Sequence, residues 1–324
     1  MKAAVYTQYG RPEVLQVQEI IQPQLKPDEL LIRIHATTVA AEDCTFRAGK
    51  PLVARSATGL TKPKYPVLGG CFAGVVEQVG DQVTHFKPGD EVFGDPGPGF
   101  GSYAEYICLT EEAALAPKPA NVDFGEAAAI IAGALTAMPF LRDSGKINSG
   151  QKVLILGASG SVGSAAVQLA KHFGAEVVGV CSGANADLVK SLGADRVIDY
   201  HTEDFTRETR AYDIIFDTVG KSSFTRSKGA LKPAGIYLRT AISGGILFQM
   251  LSTSVFGGKK AIIAFTGLRP PLEKKKDLET FKQLIEREIL RPVVDRTHPL
   301  EEIAKAHAYV EQGHKRGAVV LTLV

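Results

Sequence analysis

An apolar run that leads into a glycine-rich turn, KVLILGASGSVG at residues 152–163, restricts the fold of this chain more than any other segment. The residues that follow, 161–173, have helical spacing, with Val162 and Leu169 on one apolar face. EVVGVC at 176–181 then has the composition of a second buried strand. The segment therefore predicts a strand–turn–helix–strand unit, the setting in which a glycine turn is informative about function.

The middle of the chain continues this alternation of strands and helices. Further strands are predicted at 196–200, 212–217, 235–240 and 261–267, and the helices between them are expected to end near Leu192 and Leu231. Strands that are buried on both faces read as continuous apolar runs, so this order predicts an α/β fold with a doubly wound parallel sheet. Residues 123–268 are expected to form this domain.

Residues 1–122 have a different pattern, with short strands between Gly, Pro and Asp turns and no long helix. This part is expected to be a β-barrel-type domain. A helix is predicted after it, at 125–145, and residues 269–324 are expected to return to the first domain. The strands predicted in the first part are 29–39, 73–80, 90–94 and 102–109, and the last part has helical patterns at 277–290 and 300–312 and a closing strand at 317–324.

Charge and cysteine content exclude several classes of protein. The formal net charge is +2, from 37 basic and 35 acidic residues, and predicts neither a nucleic-acid partner nor a membrane partner. The Lys274–Lys276 cluster is expected to be a solvated helix entry. No signal peptide is visible, and no run of about eighteen apolar residues that could span a bilayer is expected. Cys44, Cys71, Cys108 and Cys181 form no CxxC pair, which indicates a reducing, cytoplasmic setting.

The glycine turn has the spacing of a dinucleotide-binding site, A-x-G-x-x-G. Ala158 takes the place of the first glycine, at the tight turn. Gly160 would let the backbone approach a pyrophosphate, and Gly163 would let the helix pack closely on the strand. Backbone amides at the helix start and the helix dipole would favour the anion. The predicted contacts of the turn are Ala158, Ser159, Gly160, Ser161, Val162 and Gly163.

The acidic residue that would hold a ribose is missing from its expected place. Glu176 lies at the beginning of its strand, whereas ligands bind at the carboxyl ends of parallel strands. That end reads VCSGAN, where Ser182 and Asn185 would accept a 2′-phosphate without repelling it. The loop therefore favours NADPH over NADH, with Tyr200, Lys315 and Arg316 as the groups that would contact the phosphate. Alternatively, Ser182 and Asn185 cap the next helix.

The order of these features resembles the medium-chain dehydrogenase/reductase superfamily, over essentially the whole chain. The segments that carry the resemblance are GVVEQVGDQVTHFKPGDEVFG at 74–94, AAAIIAGALTA at 127–137 and DTVG at 217–220. The resemblance implies a GroES-like β-barrel-type domain and a Rossmann domain, and within the superfamily it points to quinone oxidoreductases and alkenal or enone reductases. It also implies a homodimer that pairs strands near 236–242 and 261–266, and cofactor contacts from Thr136, Val219, Ala241 and Phe265.

The resemblance also predicts that no metal is bound. Zinc-dependent members carry a Gly-His-Glu sequence where this chain has Gly70 and Cys71 at the last two positions, and Ala40 stands where a zinc cysteine would fall. Only Asp43 of the upstream pair remains, and a catalytic zinc needs three protein ligands. Cys71 is either a small buried hydrophobe or a reactive thiol, and the first reading is favoured.

Without a Lewis acid, an activated acceptor is the expected substrate. The expected reaction is hydride transfer from NADPH to a quinone or an α,β-unsaturated carbonyl. Tyr65, Asp43 and Thr136 are the predicted catalytic residues, and Cys44 and Phe46 are expected to line the cleft with them. Tyr65 is the favoured proton donor, although it could equally be an ordinary aromatic residue. Two alternatives remain: an NADP(H)-binding stress or sensor protein without turnover, and a zinc-independent alcohol dehydrogenase.

Overall fold

The computed structural model describes residues 1–241, 244–255 and 258–323. The chain forms two compact units, one from Met1–Ala132, Gly267–Glu288 and Pro292–Val324, the other from Gly133–Thr266 and Ile289–Arg291. The domain limits predicted from the sequence, after residues 122 and 268, stay predictions. Residue 242 of the predicted dimer edge and residue 324 of the closing strand lie outside the described residues.

The first unit is built on antiparallel strands. The strands, numbered in chain order, are β1 Lys2–Val5, β2 Gln16–Glu19, β3 Glu29–Val39, β4 Phe72–Val79, β5 Glu91–Asp95, β6 Tyr106–Thr110, β7 Ala114–Pro117, β14 Val294–Pro299 and β15 Ala318–Thr322. The main sheet has the order β14-β15-β3-β4-β5-β7, in which the β14–β15 pair is parallel and the other pairs are antiparallel, and β6 also pairs with β3. β1 and β2 form a separate antiparallel pair.

β3 organises this unit because it is 11 residues long and has three partners. Its amino-terminal half pairs with β6, its carboxyl-terminal half pairs with β15, and β4 lies along most of its length. Leu30, Ile32 and Ile34 alternate along it and are fully buried in one core with Phe72 of β4. Period-two alternation thus places one face of the strand inside.

The helices that lie wholly in the described part of this unit are α1 Ala41–Ala48, α2 Arg55–Thr58, α8 Pro271–Glu286 and α9 Ile303–Glu311. α8 begins earlier than predicted, because Pro271 fits the first turn of a helix, where no amide hydrogen is needed. The predicted solvated entry is wrong for Lys274. This side chain is buried, and its Nζ donates a hydrogen bond of 2.8 Å to Oδ2 of Asp95.

The second unit contains a six-stranded parallel sheet in the order β10-β9-β8-β11-β12-β13. The predicted parallel sheet is confirmed. Its strands are β8 Lys152–Leu156, β9 Glu176–Cys181, β10 Arg196–Asp199, β11 Tyr212–Asp217, β12 Leu231–Arg239 and β13 Lys260–Ile263, and its helices are α4 Ser161–His172, α5 Ala186–Ser191, α6 Phe224–Ser227 and α7 Gly244–Val255, with α3 Phe124–Pro139 entering the unit at Gly133.

Two helices of this unit differ from expectation. The helix predicted to end near Leu231 is only the short α6, because Leu231 pairs with Tyr212 as the first residue of β12 and is fully buried. α7 was not predicted. The strand predicted at 261–267 ends at Ile263, and a single 3₁₀ turn, Thr266–Leu268, follows.

One helical stretch corrects the expectation that nothing could span a bilayer. Residues Phe124–Ser144, α3 and the π-helical turn after it, are long and apolar enough by composition alone. Most of this stretch is buried within the protein, and the core helix of a globular protein meets the same criteria.

Candidate active site

The glycine turn between β8 and α4 depends on Gly157, a residue that was not predicted to contribute to it. Gly157 has φ +76°, a conformation that favours glycine, whereas Ala158 is fully buried beside it. The tight turn is therefore made at Gly157, and the prediction that Ala158 replaces the turn glycine is wrong. Its position directly before Ala158 in LGASG was the available signal. The amides of both residues donate to the Val180 carbonyl of β9, which ties the turn to the sheet.

The start of α4 is arranged to accept an anion. A Cβ at Gly163 would lie 2.0 Å from the Gly157 carbonyl oxygen, so glycine is required for the helix to approach the turn. A Cβ at Gly160 would meet its nearest neighbour only at 3.5 Å, which leaves the outer side of the turn open. No side chain in the described chain caps α4, so its first amides keep their hydrogen-bonding capacity. A dinucleotide pyrophosphate fits this combination.

Further predicted contacts meet at the carboxyl ends of the strands. Val219 lies over the turn, because a Cβ at Gly157 would touch its Cγ1 at 2.4 Å. A Cβ at Gly133 of α3 would lie 2.3 Å from the Ser161 carbonyl oxygen. Thr136 follows one helical turn later and is half-buried. α3 therefore packs directly on the start of α4 and places Thr136 on the same side. Gly133 was not singled out from the sequence, although it begins GALTA.

The remaining members of this set lie at neighbouring strand ends. Ala241 follows β12 and faces Gly220, at which a Cβ would come within 2.7 Å of the Ala241 Cβ. Phe265 follows β13 and Tyr200 follows β10, and both rings are about half exposed. The structure thus brings these residues to the same edge of the sheet as the glycine turn. Their contacts with a cofactor stay predictions.

A buried carboxylate holds the loop that carries Val219. Oδ1 of Asp217 accepts from the amide of Gly220 at 2.8 Å, and Oδ2 accepts from the amide of Ser222 at 3.0 Å and from the Tyr237 hydroxyl at 2.9 Å. Asp217 is fully buried at the end of β11. Each of these groups donates a hydrogen bond to the carboxylate, and two of them are loop amides. The role of Asp217 is therefore to position the loop.

Among the described residues, the loop after β9 does not have the helix caps that were the alternative role of Ser182 and Asn185. Ser182 and Asn185 stand just before helical turns, but neither side chain caps one within the described chain. Asn185 Nδ2 instead donates to Ser159 Oγ of the glycine turn, at 3.1 Å. The loop itself contains no carboxylate, but one from a neighbouring strand lies beside it. A Cβ at Gly183 would lie 2.6 Å from Oδ2 of Asp199, which stands at the end of β10.

The two predicted phosphate-binding cations belong to the first unit. Lys315 is half-buried, and its Nζ donates to the Gly317 carbonyl oxygen at 2.6 Å. Burial lowers its pKa to about 8, and Glu42 and Asp295 partly oppose that shift. The Arg316 side chain is exposed, and its backbone amide donates to Asp295 Oδ2 at 3.0 Å. Their contact with a 2′-phosphate stays a prediction.

Three aromatic rings of the first unit form a contiguous group. Tyr65 and Phe46 both meet Phe100 edge to face, with ring centroids 5.7 Å and 5.2 Å apart. No hydrogen bond of the Tyr65 hydroxyl is found among the described residues, so its donor is available to a ligand. Phe100 was missed from the sequence, although its place in GPGFG, between turn glycines, marked an unusual backbone. Its φ is +53°.

Asp43 is buried and is used structurally. Its Oδ2 accepts from the Ala40 amide at 2.8 Å and so caps the first turn of α1. Burial is the main cause that raises its pKa to about 7. The next residue, Cys44, is also buried, with its Sγ 3.4 Å from Nδ1 of His307. Burial raises the thiol pKa to about 12 and lowers the His307 pKa to about 3, so both groups are neutral at physiological pH.

Comparison with known proteins identifies the family. The model of the alcohol dehydrogenase GroES-like domain matches residues 26–120, and that of a zinc-binding dehydrogenase matches residues 192–321. A 2-methylene-furan-3-one reductase of Solanum lycopersicum is 35% identical, over 99% of this chain and 79% of its own. This chain belongs to the medium-chain dehydrogenase/reductase superfamily. The predicted GroES-like and Rossmann fold class is confirmed.

Other members of the superfamily point to the same branch. An NADPH-dependent alkenal/one oxidoreductase of Arabidopsis thaliana is 34% identical, over 99% of this chain and 79% of its own. The solved quinone oxidoreductase of Coxiella burnetii is 29% identical and superimposes with a TM-score of 0.88, over 100% of this chain and 99% of its own. As an oxidoreductase of this superfamily, the chain uses a nicotinamide dinucleotide, which fits the open, uncapped glycine turn.

The zinc-ligand positions of the superfamily carry other residues here. A Cβ at Gly70 would meet nothing within 4 Å, so the position of the zinc histidine borders open space. Cys71 is buried, and burial raises its thiol pKa well above the ordinary value. This favours the small buried hydrophobe over the reactive thiol. In the described ranges, no group of three or more His, Cys, Asp or Glu side chains could hold a metal ion.

Proposed function

We propose that this protein is a zinc-independent, NADPH-dependent reductase of quinones or α,β-unsaturated carbonyls. The observation that carries the proposal is the uncapped, open start of α4, where a dinucleotide fits, in a chain whose zinc-ligand positions hold Ala40, Gly70 and Cys71. Relatives named as a 2-methylene-furan-3-one reductase, an NADPH-dependent alkenal/one oxidoreductase and a quinone oxidoreductase support the substrate classes.

The residues of the second unit would hold and orient the cofactor, and NADPH when bound supplies the hydride. First-turn amides of α4 would bind the pyrophosphate, and Thr136 would contact the nicotinamide. Ser182, Asn185 and Tyr200, with Lys315 and Arg316, would contact the 2′-phosphate. Asp199 is a carboxylate beside this set, so we propose a preference for NADPH over NADH that is less than strict.

Residues of the first unit would handle the substrate. Hydride addition to the β-carbon of an enone places negative charge on the carbonyl oxygen, and an aligned hydroxyl donor stabilises that charge. Tyr65 is the residue that we assign to this role, since its hydroxyl has no partner among the described residues. Asp43 enters only as the cap that positions α1. We further propose a cytoplasmic homodimer that pairs at the β13 edge of the parallel sheet, an edge that meets no further strand in the described chain.

The test is the oxidation of NADPH, and separately of NADH, by purified protein treated with a chelator. The acceptors are a 1,4-quinone, a vinyl ketone, a 2-alkenal and an aldehyde, with the matching alcohol for the reverse reaction. We expect turnover of a quinone or enone with NADPH that the chelator does not change. Alcohol-dependent cofactor reduction would instead identify a zinc-independent alcohol dehydrogenase. NADPH binding without turnover of any acceptor would identify a binding protein.

A further inference from the structure

Residues 50–65 form a short segment of the first unit between α1 and β4, which we call the 50–65 strap. α1 ends at Ala48 with Gly49 as its C-cap, and a 3₁₀ turn, Leu52–Ala54, leads into α2. The chain then reverses sharply: a Cβ at Gly59 would lie 2.1 Å from the Lys62 carbonyl oxygen, and the Lys64 amide donates to the Thr58 carbonyl oxygen at 2.6 Å. The strap is therefore an ordered structure with its own backbone hydrogen bonds.

The inner side of the strap is anchored on Tyr9. The Tyr9 hydroxyl lies 3.0 Å from Thr58 Oγ1 and donates to the Gly59 carbonyl oxygen at 2.5 Å. The Arg55 guanidinium lies 4.6 Å from the Tyr9 ring centroid, and its Nε donates to the Gly49 carbonyl oxygen at 3.1 Å. The polar groups on this side are satisfied, so the strap presents a fixed outer surface.

The outer side of the strap is apolar to an unusual degree. Leu52, Val53 and Leu60 are 72%, 69% and 76% exposed. Single exposed apolar side chains are ordinary, but three large ones on one short ordered segment are not. We call these three side chains the patch, and a concentration of this kind marks an interaction site. Nothing in the proposed oxidoreductase function uses these three side chains.

The charged residues that flank these three side chains in the sequence are all basic. Residues 44–76 contain no Asp or Glu, although the whole chain is close to neutral. One of the basic residues in this range, Arg47, turns inward and pairs with Glu311. Lys50, Lys62 and Lys64 are exposed on the same strap, and Lys64 Nζ lies 5.0 Å from the Tyr65 ring centroid. Cations that flank exposed apolar side chains are the pattern of an interfacial membrane contact.

We propose that the 50–65 strap docks on the surface of an anionic lipid bilayer. Leu52, Val53 and Leu60 would enter the interfacial region, and the three lysines would lie against anionic headgroups. A second copy of the chain fits less well, because a two-fold contact between identical straps would bring two basic segments together. The proposal differs from the sequence-based expectation of no membrane partner, which stays a prediction, and it does not depend on the proposed catalytic function.

The absence of tryptophan from the chain allows a direct test. A Leu60→Trp variant carries a single reporter on the patch, and Ile21→Trp, at a residue that is 92% exposed and lies outside the strap in sequence, carries the control reporter. Each is titrated with phosphatidylcholine vesicles that contain or lack phosphatidylserine. We expect a blue shift and quenching by brominated lipid for Leu60→Trp alone, with anionic vesicles, and its loss in high salt.

Charge reversal supplies the second measurement. In the Leu60→Trp background, Lys50→Glu with Lys62→Glu should weaken partitioning onto anionic vesicles by at least about tenfold. Lys87→Glu with Lys276→Glu makes the same change in net charge at exposed residues outside the strap and should leave partitioning almost unchanged. Circular dichroism and NADPH binding check that each variant is folded.

Three results would overturn the proposal. One is an equal response of the two reporters, and another is equal binding to vesicles with and without phosphatidylserine. The third is a spectral change of Leu60→Trp that follows protein concentration in the absence of lipid, which would assign the patch to a second copy of the chain.

Discussion

The hydroxyl of Tyr237 donates a hydrogen bond of 2.9 Å to Oδ2 of Asp217, and neither side chain is exposed to solvent. Since Asp217 also accepts amides of the loop that carries Val219, Asp217→Asn would turn one acceptor into a donor that faces other donors. We expect a loss of about 1–3 kcal/mol in the free energy of unfolding and weaker NADPH binding. Denaturant unfolding and a fluorescence titration measure the two effects.

Tyr237→Phe is the matched control for Asp217→Asn. It removes one donor and leaves the loop amides in place, so it should cost about 1 kcal/mol and keep the NADPH affinity. Tyr237→Phe leaves the hydrogen bonds between Asp217 and the loop amides intact. An equal loss of NADPH affinity in both variants would therefore show that Asp217 does not affect NADPH binding through the loop.

The two glycines of the turn should respond differently to alanine. Gly163→Ala would force a methyl group against the Gly157 carbonyl oxygen, and we expect about 1–3 kcal/mol of destabilisation even without cofactor. Gly160→Ala has room for its methyl group, so the apo protein should keep its thermal stability while NADPH affinity falls by at least about tenfold. Unchanged NADPH affinity in Gly160→Ala would mean that the pyrophosphate does not approach this residue.

Cofactor preference should move in opposite directions at two neighbouring positions. Ser182→Asp adds a carboxylate that would repel a 2′-phosphate and accept a ribose hydroxyl, so the ratio of kcat/KM for NADPH over NADH should fall by about tenfold or more. Asp199→Asn removes the carboxylate beside Gly183 and should raise that ratio. Steady-state kinetics with both cofactors measure it. A ratio that neither substitution changes would place the 2′-phosphate elsewhere.

Tyr65→Phe separates a catalytic role from an aromatic one. The ring would keep its contact with Phe100, and the hydroxyl gives up no protein hydrogen bond in the described chain, so stability should change by less than about 0.5 kcal/mol. If the hydroxyl stabilises the developing oxyanion, kcat for an enone should fall by about 10²–10⁴-fold with little change in KM. A wild-type kcat in Tyr65→Phe would show that the Tyr65 hydroxyl does not stabilise the oxyanion.

Acid should destabilise the protein through His307. Burial lowers its pKa from 6.5 to about 3. Below pH 6.5, His307 is therefore protonated in the unfolded chain while it stays neutral in the folded protein. Stability is therefore complete above the unfolded pKa and is lost as pH falls from 6.5 towards 3. Between about pH 7 and about pH 4.5, wild type should lose about 2–3 kcal/mol more than His307→Phe, measured by urea unfolding.

The carboxyl group of Asp43 acts in the opposite direction. Its pKa is raised to about 7, so its contribution to stability falls as pH rises between about 4 and 7. Because Asp43 is present in both proteins, it cancels in the difference between wild type and His307→Phe. Parallel pH profiles of the two proteins would show that His307 does not control acid unfolding.

The features that the sequence predicted are those encoded over short distances. The apolar run and the helix that follows it define the β8–α4 unit within 152–172, and continuous apolar strands predicted the parallel sheet around it. The close packing at Gly163 also followed from the local motif. Each of these depends on neighbours in the chain, where period and turn chemistry decide the structure.

The features that were missed depend on register between distant segments. Asp199 stands beside Gly183 because β10 pairs with β9 so that Asp199 lies opposite Cys181, a register that no local pattern reveals. Lys274 is buried because Asp95, far away in the chain, offers it a carboxylate. A run of three lysines is predicted to be solvated unless a distant carboxylate partner is known. Sequence composition therefore cannot predict an ion pair of this kind.

The pairing of β3 with β15 has a consequence for biosynthesis. Val39 of β3 pairs with Val319 of β15, so the first unit lacks one partner of its central strand until nearly all of the chain has been made. At ribosomal elongation rates the wait is on the order of tens of seconds. The parallel sheet, whose strands are continuous in sequence from Lys152 to Ile263, can fold in that interval. The domain that is translated first is therefore completed last, and its unpaired strand edge is the part of the nascent chain that most needs protection by a chaperone.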